Sequence, residues 1–206
     1  SKYSNVFNYP AKTWADVAVI GFLIDAAAIV NQVANSKGSY GPYSRALERI
    51  CYEESFHLKQ GHDAFVALAT GTESQRAMLQ DAVNRWYRPI IHFFGPSDKD
   101  SVHTGKLMRW KVKMMTNDAM RNQFLSSYVP KVWELGLSFP DPKLHKDDNG
   151  EWHFSDPNWD EFYQVIKGNG PCNAERLAVR SWVETQHKWI REALFNPNAK
   201  YTLPLS

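Results

Sequence analysis

The sequence has few cysteines, and they are not spaced as a metal site or a disulfide framework requires. Cys51 and Cys172 are the only two among 206 residues, and neither belongs to a C-x-x-C pair. Small secreted domains often compensate for a limited core with many disulfides, and two cysteines are not typical of that class. The sequence therefore indicates a reducing compartment, and we expect a cytoplasmic protein.

Net charge and long apolar runs are also scarce. The formal net charge is +2, which is too small to indicate a nucleic-acid partner by itself. The longest apolar run, 17–30, is interrupted by Asp25 and is short for a helix that spans a bilayer. The first ten residues, SKYSNVFNYP, lack the basic-then-apolar order of a signal peptide. We therefore expect neither a nucleic-acid partner nor a membrane partner.

Apolar residues at helical spacing fill most of the chain. The composition, with 43% apolar and 22% charged residues, is ordinary for a globular domain. Thr13 and Asp16 have the spacing of a capping box at the start of the first helix. The pattern predicts helices over 14–35, 43–70, 73–94 (bent near Pro89), 106–115, 116–134 (kinked near Pro130) and 173–195.

The segment 137–156 lacks the helical spacing of apolar residues that fills most of the chain. It contains Asn149-Gly150, a dipeptide typical of a tight hairpin turn, so we expect irregular structure with a short hairpin there. Asp156 and Pro157 then predict the start of a short helix. The expected fold class is all-α, in a single domain of 206 residues with this small hairpin region.

Asp25 is the one charged residue inside the stretch VAVIGFLIDAAAIV. A buried carboxylate without a partner costs several kcal/mol, or its pKa rises until it is protonated. A hydrogen bond or salt bridge to a neighbouring helix would compensate it, and so would a metal ion. The residue alone leaves both open.

Helical geometry can bring Glu54 and His57 close to Asp25. A short connection between 14–35 and 43–70 makes the two helices antiparallel neighbours. Asp25 lies ten residues before the break and Glu54 lies eleven after the restart, so both are about 15–17 Å from the turn. Residues three apart share a helix face, so Glu54 and His57 can act as a pair. The three side chains can therefore meet at one level.

This combination of residue types points to metal chemistry. One carboxylate from one helix and Glu-x-x-His from its neighbour make half of the ligand set of a ferritin-like di-iron bundle. Carboxylates can bridge two iron ions, imidazole can cap each ion, and an open position can remain for dioxygen. Zinc would accept the same ligands, so the residues indicate a metal more firmly than they indicate iron.

A second Glu-x-x-His occurs at Glu184 and His187, within the stretch VETQHKWIRE. The residues around it are polar, which is typical of a surface helix, and we expect this pair to lie outside the cluster. Glu53 points about 100° away from Glu54 around the helix, so we expect it on the surface or behind the ligands.

Longer stretches of the sequence resemble one known family. The segments YSNVFNYPAKTWADVAVIGFLIDAAAIVNQ and SYGPYSRALERICYEESFHLKQGHDAFVALATGTESQ are similar to the catalytic subunits of bacterial multicomponent phenylacetyl-CoA epoxidases, as are FGPSD, WKVKMMTND, LGLSFPDPKLH and CNAERL. The resemblance covers essentially the whole chain. It implies a ferritin-like helical bundle whose di-iron centre activates O2. The implied reaction inserts one oxygen atom into the ring of phenylacetyl-CoA, giving the 1,2-epoxide in aerobic phenylacetate catabolism.

The resemblance also implies the cofactors and partners. Asp25, Glu54 and His57 would be the catalytic metal ligands. Electrons would come from NADPH through a separate flavin and iron–sulfur reductase. A non-catalytic ferritin-like paralogue and a small accessory subunit would complete the complex.

The family's subunit begins with further helices that carry an upstream Glu and another Glu-x-x-His. The resemblance therefore implies that this sequence corresponds to the C-terminal two-thirds of the family's subunit, so that the ferritin-like bundle is truncated here. Taken alone, the 206 residues are expected to hold little or no iron and to be inactive.

A basic stretch provides the expected contacts to coenzyme A. Lys113 and Asn117, in KVKMMTND, match family positions that hold the CoA moiety. Lys106 and Arg109 add positive charge nearby, where an anionic phosphate could dock. From the residues alone, a solvated basic face is the commoner meaning of such a run.

Two other functions stay open. The chain could be a non-catalytic ferritin-like scaffold, or a CoA-ester-binding subunit whose acid–histidine pair is only structural. A scaffold subunit would be expected to have lost its buried ligands, and the presence of Asp25, Glu54 and His57 counts against that reading.

Overall fold

A computed structural model describes residues 5–195, and most of them lie in α-helices. A 3-10 turn, Val6–Asn8, precedes the first helix. The elements that follow are α1 Trp14–Val19, a π-helical segment Ile20–Ile24, α2 Asp25–Asn35, α3 Gly41–Ala69, α4 Glu73–Phe93, α5 Thr104–Arg109, α6 Asn117–Glu134, β1 His145–Lys146, β2 Trp152–His153, α7 Trp159–Lys167, α8 Pro171–Gln186 and α9 Lys188–Phe195.

The first helix runs without a break from Trp14 to Asn35, through α1, the π-helical segment and α2. Its start confirms the predicted capping box: Asp16 N–H donates to Thr13 Oγ1 at 3.3 Å, and Thr13 N–H donates to Asp16 Oδ2 at 2.8 Å. These bonds satisfy amide groups that have no partner within the helix.

The same 22-residue helix is long and apolar enough to cross a membrane by length and composition alone. The expectation that this segment is short for a bilayer-spanning helix considered only the apolar run 17–30, and the whole helix is longer than that run. Half of its most apolar stretch is buried within the protein. A core helix passes the same test, and here the helix packs against α3, α4 and α6.

The helix Trp14–Asn35 and α3 are antiparallel, as predicted. Gly21 lies against Gly61, and farther along the pair Cys51 Sγ lies 3.9 Å from Gln32 Oε1. In each facing pair the two residue numbers add to nearly the same value, as they do when two helices run in opposite directions.

Four long helices share one hydrophobic core. They are Trp14–Asn35, α3, α4 and α6, and their largest fully buried side chains include Phe22, Phe65 and Phe124. The all-α, ferritin-like fold class is therefore confirmed. The prediction of a single domain also covers 1–4 and 196–206, which lie outside the described residues, and it stays a prediction.

The basic stretch is shorter than the predicted helix 106–115, because α5 ends at Arg109. Lys111 has a φ of 55°, which lies in the left-handed region and cannot continue an α-helix. Ser39 holds the chain in this turn: its N–H donates to the carbonyl of Lys111 and its hydroxyl to the carbonyl of Trp110, both at 2.7 Å. The helix itself ends in a local Schellman motif, in which the N–H of Lys111 donates to the carbonyl of Met108 and the N–H of Val112 donates to the carbonyl of Leu107.

The hairpin in 137–156 is confirmed, with His145 opposite His153 and Gly150 at a φ of +85° in the turn. The predicted short helix is present, but its predicted start was wrong, because α7 begins at Trp159 with Asn158 as its cap. Ser155 explains the difference, since its N–H and hydroxyl donate to the buried Asp141 and keep the chain non-helical there.

The predicted final helix 173–195 was also inaccurate. The structure has two helices, α8 from Pro171 and α9 from Lys188, separated at His187. At the start of α8, Asn173 Oδ1 accepts a bond from Gly170 N–H at 2.8 Å, so Asn173 serves the helix cap from inside the first turn. The remaining long helices lie within three residues of their predicted bounds.

Two glycines let the first helix and α3 approach each other closely. A Cβ atom built on Gly61 would lie 2.0 Å from the carbonyl carbon of Gly21 and 2.5 Å from the backbone N of Phe22. These atoms are backbone and cannot move aside as a flexible side chain can. The close approach therefore requires glycine at Gly61.

We expect Gly61→Ala to reduce the free energy of unfolding by at least about 2 kcal/mol, even though alanine favours a helix by about 1 kcal/mol over glycine. Chemical denaturation measures the change. Gly105→Ala is the matched control, because a Cβ there meets no atom within 4 Å and the position is also helical. Equal stability of the Gly61 variant and the wild type would contradict the packing described.

Candidate metal centre and ligand-binding residues

Asp25 is the first residue of α2 and directly follows the π-helical segment Ile20–Ile24. A π-helical turn is rare and often occurs at functional sites. It makes the helix locally wider and changes the direction in which the following side chains point. The turn that precedes Asp25 is therefore unlike that of an ordinary core helix, whereas Asp25 itself has α-helical φ and ψ of −64° and −35°.

Asp25, Glu54 and His57 meet, as the helical geometry predicted. One ligand atom from each lies within 4.8 Å of the others, and Nδ1 of His57 is 3.4 Å from Oε2 of Glu54. Within residues 5–195, no other group of three His, Cys, Asp or Glu side chains has this geometry. Asp25 and Glu54 are half-buried, whereas the His57 side chain is 61% exposed, so the cluster is open to solvent on the imidazole side.

The electrostatics of the cluster favour a cation. Burial raises the pKa of Asp25 to about 6; the neighbouring Glu54 carboxylate adds to this effect, and His57 opposes it. Two carboxylates that face each other in a half-buried site repel, and a bound cation relieves the repulsion. Two carboxylates and an imidazole suit iron, zinc and other borderline cations. The residues present therefore fit a metal, although three ligands are half of the roughly six that a di-iron centre uses.

The second Glu-x-x-His lies outside this cluster, as its polar surroundings predicted. Glu184 accepts a hydrogen bond from Arg180 at 3.1 Å on the exposed face of α8, and His187 follows the last residue of that helix. Glu53 is likewise on the surface, where it pairs with Arg49 at 3.3 Å.

The residues predicted to bind CoA divide into two groups. Lys113 and Asn117 are in contact, because Lys113 Nζ donates a hydrogen bond to Asn117 Oδ1. Burial lowers the pKa of Lys113. Lys106 and Arg109 are exposed at the end of α5, and within the described part of the chain their side chains form no hydrogen bond or ion pair.

Asp16 is a buried charge whose tertiary role the sequence did not reveal. It is fully buried, and its Oδ1 accepts from Arg85 Nη1 at 2.5 Å and from Trp86 Nε1 at 2.7 Å. The adjacent dipeptide Arg85-Trp86 on another helix gave no local signal of this contact. Asp16 is a structural anchor between α1 and α4.

The model of the family described as phenylacetic acid catabolic protein matches residues 1–189. The chain belongs to this family. One relative is a subunit of the 1,2-phenylacetyl-CoA epoxidase of Escherichia coli (strain K12). It is 50% identical over 193 residues, which are 93% of this chain and 62% of the relative. The chain thus spans about three-fifths of the length of that relative.

In this chain, Asp25 and Asp16 are carboxylates of one continuous helix in opposite circumstances. Asp25 has a raised pKa, so the folded protein favours its protonated form. Its contribution to stability is therefore lost as the pH rises from the pKa of the unfolded chain, about 4, through the folded pKa of about 6. Bonds from Arg85, Trp86 and the helix start outweigh burial and lower the pKa of Asp16, so its contribution is present above the unfolded pKa.

We therefore expect Asp25→Asn to stabilise the metal-free protein at pH 8 by about 1 kcal/mol, allowing for the screening at this open site. Asp16→Asn should instead destabilise it by about 2 kcal/mol, because the half-buried Arg85 loses one of its two carboxylate partners and Trp86 Nε1 loses a charged acceptor. Denaturation in the presence of a chelator measures both. A less stable Asp25→Asn protein would mean that another group already compensates Asp25.

Proposed function

We propose that this chain belongs to the oxygenase subunit of a 1,2-phenylacetyl-CoA epoxidase, with Asp25, Glu54 and His57 as ligands of a di-iron centre. The meeting of these three side chains between two antiparallel helices carries the proposal. The relative from Escherichia coli, named as part of a 1,2-phenylacetyl-CoA epoxidase, supports the substrate and the reaction. Because the chain spans only part of that relative, the activity of the whole subunit is part of the proposal.

The metal centre would supply the activation of dioxygen and the insertion of one oxygen atom into the aromatic ring. The protein's own contribution is to fix the ligands. Glu54 and His57 share one face of α3 and are held one helical turn apart. Asp25 faces them from the neighbouring helix, with the buried side chains of Leu23 and Ile24 beside it in the core. The remaining iron ligands would come from other helices of the family's subunit.

The CoA part of the substrate would bind at Lys113 and Asn117. The ammonium group of Lys113 bonds to a neutral amide oxygen and not to a carboxylate, so its positive charge can still attract a phosphate. Partial burial strengthens such an interaction, because the surroundings screen it less than water does. Lys106 and Arg109, both exposed, would add attraction at longer range.

The proposal includes the family's partners and electron supply. A reductase with flavin and iron–sulfur groups would deliver electrons from NADPH. A non-catalytic ferritin-like paralogue and a small accessory subunit would complete a cytoplasmic complex. The scaffold alternative is less favoured, because the half-buried carboxyl groups of Asp25 and Glu54 repel each other, which does not stabilise a purely structural bundle.

Substitution of Glu54 or His57 by alanine in the reconstituted epoxidase should abolish epoxide formation and lower the iron content, because each removal deletes a ligand. Glu53→Ala is the matched control: it removes a carboxylate one residue away that pairs with Arg49 on the surface. Product analysis and metal analysis should therefore separate Glu53→Ala from the other two variants. Near-normal turnover by Glu54→Ala would refute the ligand assignment.

Lys113→Ala should raise the KM for phenylacetyl-CoA by about tenfold with a small change in kcat. A phosphate contact far from the ring contributes equally to binding of the substrate and the transition state. Steady-state kinetics of the complex measure both constants. Lys188→Ala, which removes an exposed lysine paired with Glu192 on α9, is the control. An unchanged KM in Lys113→Ala would assign that lysine to a solvated basic face.

A further inference from the structure

The loop 95–98 is fastened to the start of α6 by hydrogen bonds from both sides. Asp98 Oδ1 accepts from the N–H of Asn117 at 2.9 Å, and Asn117 Nδ2 donates to the carbonyl of Pro96 at 2.8 Å. In return, Asp118 Oδ2 accepts from the N–H of Asp98 at 2.9 Å. The loop and the first turn of α6 therefore form one unit, and this unit orients the amide of Asn117.

Arg121 lies beneath this unit with its side chain 4% exposed. Its Nη1 donates to Asp118 Oδ1 at 2.6 Å, its Nη2 donates to the carbonyl of Gly95, and its guanidinium lies 5.3 Å from the ring centre of Phe154. A charge-assisted bond of this kind is stronger in a buried setting than on the surface. Both oxygens of Asp118 are consequently occupied.

Lys113 differs from the charged groups around it. Its ammonium bonds to the amide oxygen of Asn117, and within residues 5–195 no carboxylate lies within 4.0 Å of it. Burial has the largest effect on the pKa of Lys113 and lowers it. The carboxylates of Asp98 and Asp118 are close enough to raise this pKa, and the guanidinium of Arg121 lowers it. Two carboxylates that could pair with Lys113 are thus bound elsewhere.

We propose that Arg121 is a positioning residue: by engaging Asp118 it keeps that carboxylate from pairing with Lys113 and leaves the ammonium free for an anionic ligand. The identity of the ligand as a CoA ester rests on the proposed function. The effect of Arg121 on Lys113 does not depend on it.

A double-substitution series tests the proposal with coenzyme A as the probe and calorimetric titration as the measurement. Arg121→Gln should weaken binding about tenfold, because the released carboxylate competes for Lys113. Adding Asp118→Asn to that variant should restore the affinity to within about threefold of the wild type. If Arg121 acted only by holding the loop, or by binding the ligand itself, the double variant would stay weak, and the proposal would be overturned.

The matched control is Arg180→Gln, which breaks an exposed Arg–Glu pair on α8 and should leave CoA binding unchanged. Circular dichroism verifies that each variant is folded. If Arg121→Gln does not fold, Asp118→Asn alone decides. In the wild type Arg121 already holds Asp118 away from Lys113, so replacing this carboxylate should leave binding equal to or tighter than that of the wild type. Weaker binding by Asp118→Asn would overturn the proposal.

A second measurement needs no ligand. Acetic anhydride labels amines that are free of ion pairs faster, and mass spectrometry reports the rate at each lysine. Lys113 should label about threefold more slowly in Arg121→Gln and recover in the double variant. Lys59, which pairs with Asp63 on the surface, should label equally in all variants.

The two measurements separate the inference from the proposed function. Unchanged labelling of Lys113 in Arg121→Gln would overturn the inference, whatever the protein binds. Failure of the wild type to bind coenzyme A, with the expected labelling pattern present, would instead contradict the CoA role and support the effect of Arg121 on Lys113.

Discussion

The close approach of two helices at Gly21 and Gly61 is the constraint on which the candidate metal centre depends. Where backbone packs against backbone, no side chain can take up a shift in register. Asp25 lies one turn beyond Gly21, and His57 lies one turn before Gly61, so the glycine contact brings them together. A slip of one residue would rotate Asp25 by about 100° and remove it from the cluster.

The first helix illustrates two ways of placing a carboxylate in an apolar setting. Asp16 is satisfied by a guanidinium, an indole N–H and the amides of its own helix start, and it contributes to the stability of the bundle. Asp25 has a second carboxylate as its neighbour and a raised pKa. Natural proteins tolerate such local conflicts where function requires them, since the rest of the fold compensates for their cost. The conflict at Asp25 is therefore the strongest physical argument that this position has a role beyond packing.

Near the start of α6, Lys113 is a half-buried cation without a direct partner of opposite charge, as Asp25 is a half-buried carboxylate beside a second carboxylate. Asp98 and Asp118 are both used in holding the loop to the helix, so the half-buried Lys113 has an amide as its direct partner. A lysine in this state is suited to an anion in a way that the exposed Lys106 and Arg109 are not. Partial burial, rather than the local density of positive charge, distinguishes the candidate contact.

The sequence by itself determined the long helices, the capping box at Thr13, the hairpin turn at Gly150 and the level at which Asp25, Glu54 and His57 meet. These features follow from local patterns and from the fixed rise of a helix, which act between residues close in sequence or across one short turn.

Only the tertiary structure decided the features that depend on contacts distant in sequence. The bond of Ser39 to Lys111 holds the turn that follows α5, and the bonds of Ser155 to Asp141 delay the start of α7. The pairing of Arg121 with Asp118 is local, but its effect on Lys113 requires the loop 95–98 to fold against α6. Each of these outcomes depends on which groups the packed chain brings within hydrogen-bond reach, and no periodicity in the sequence encodes that distance.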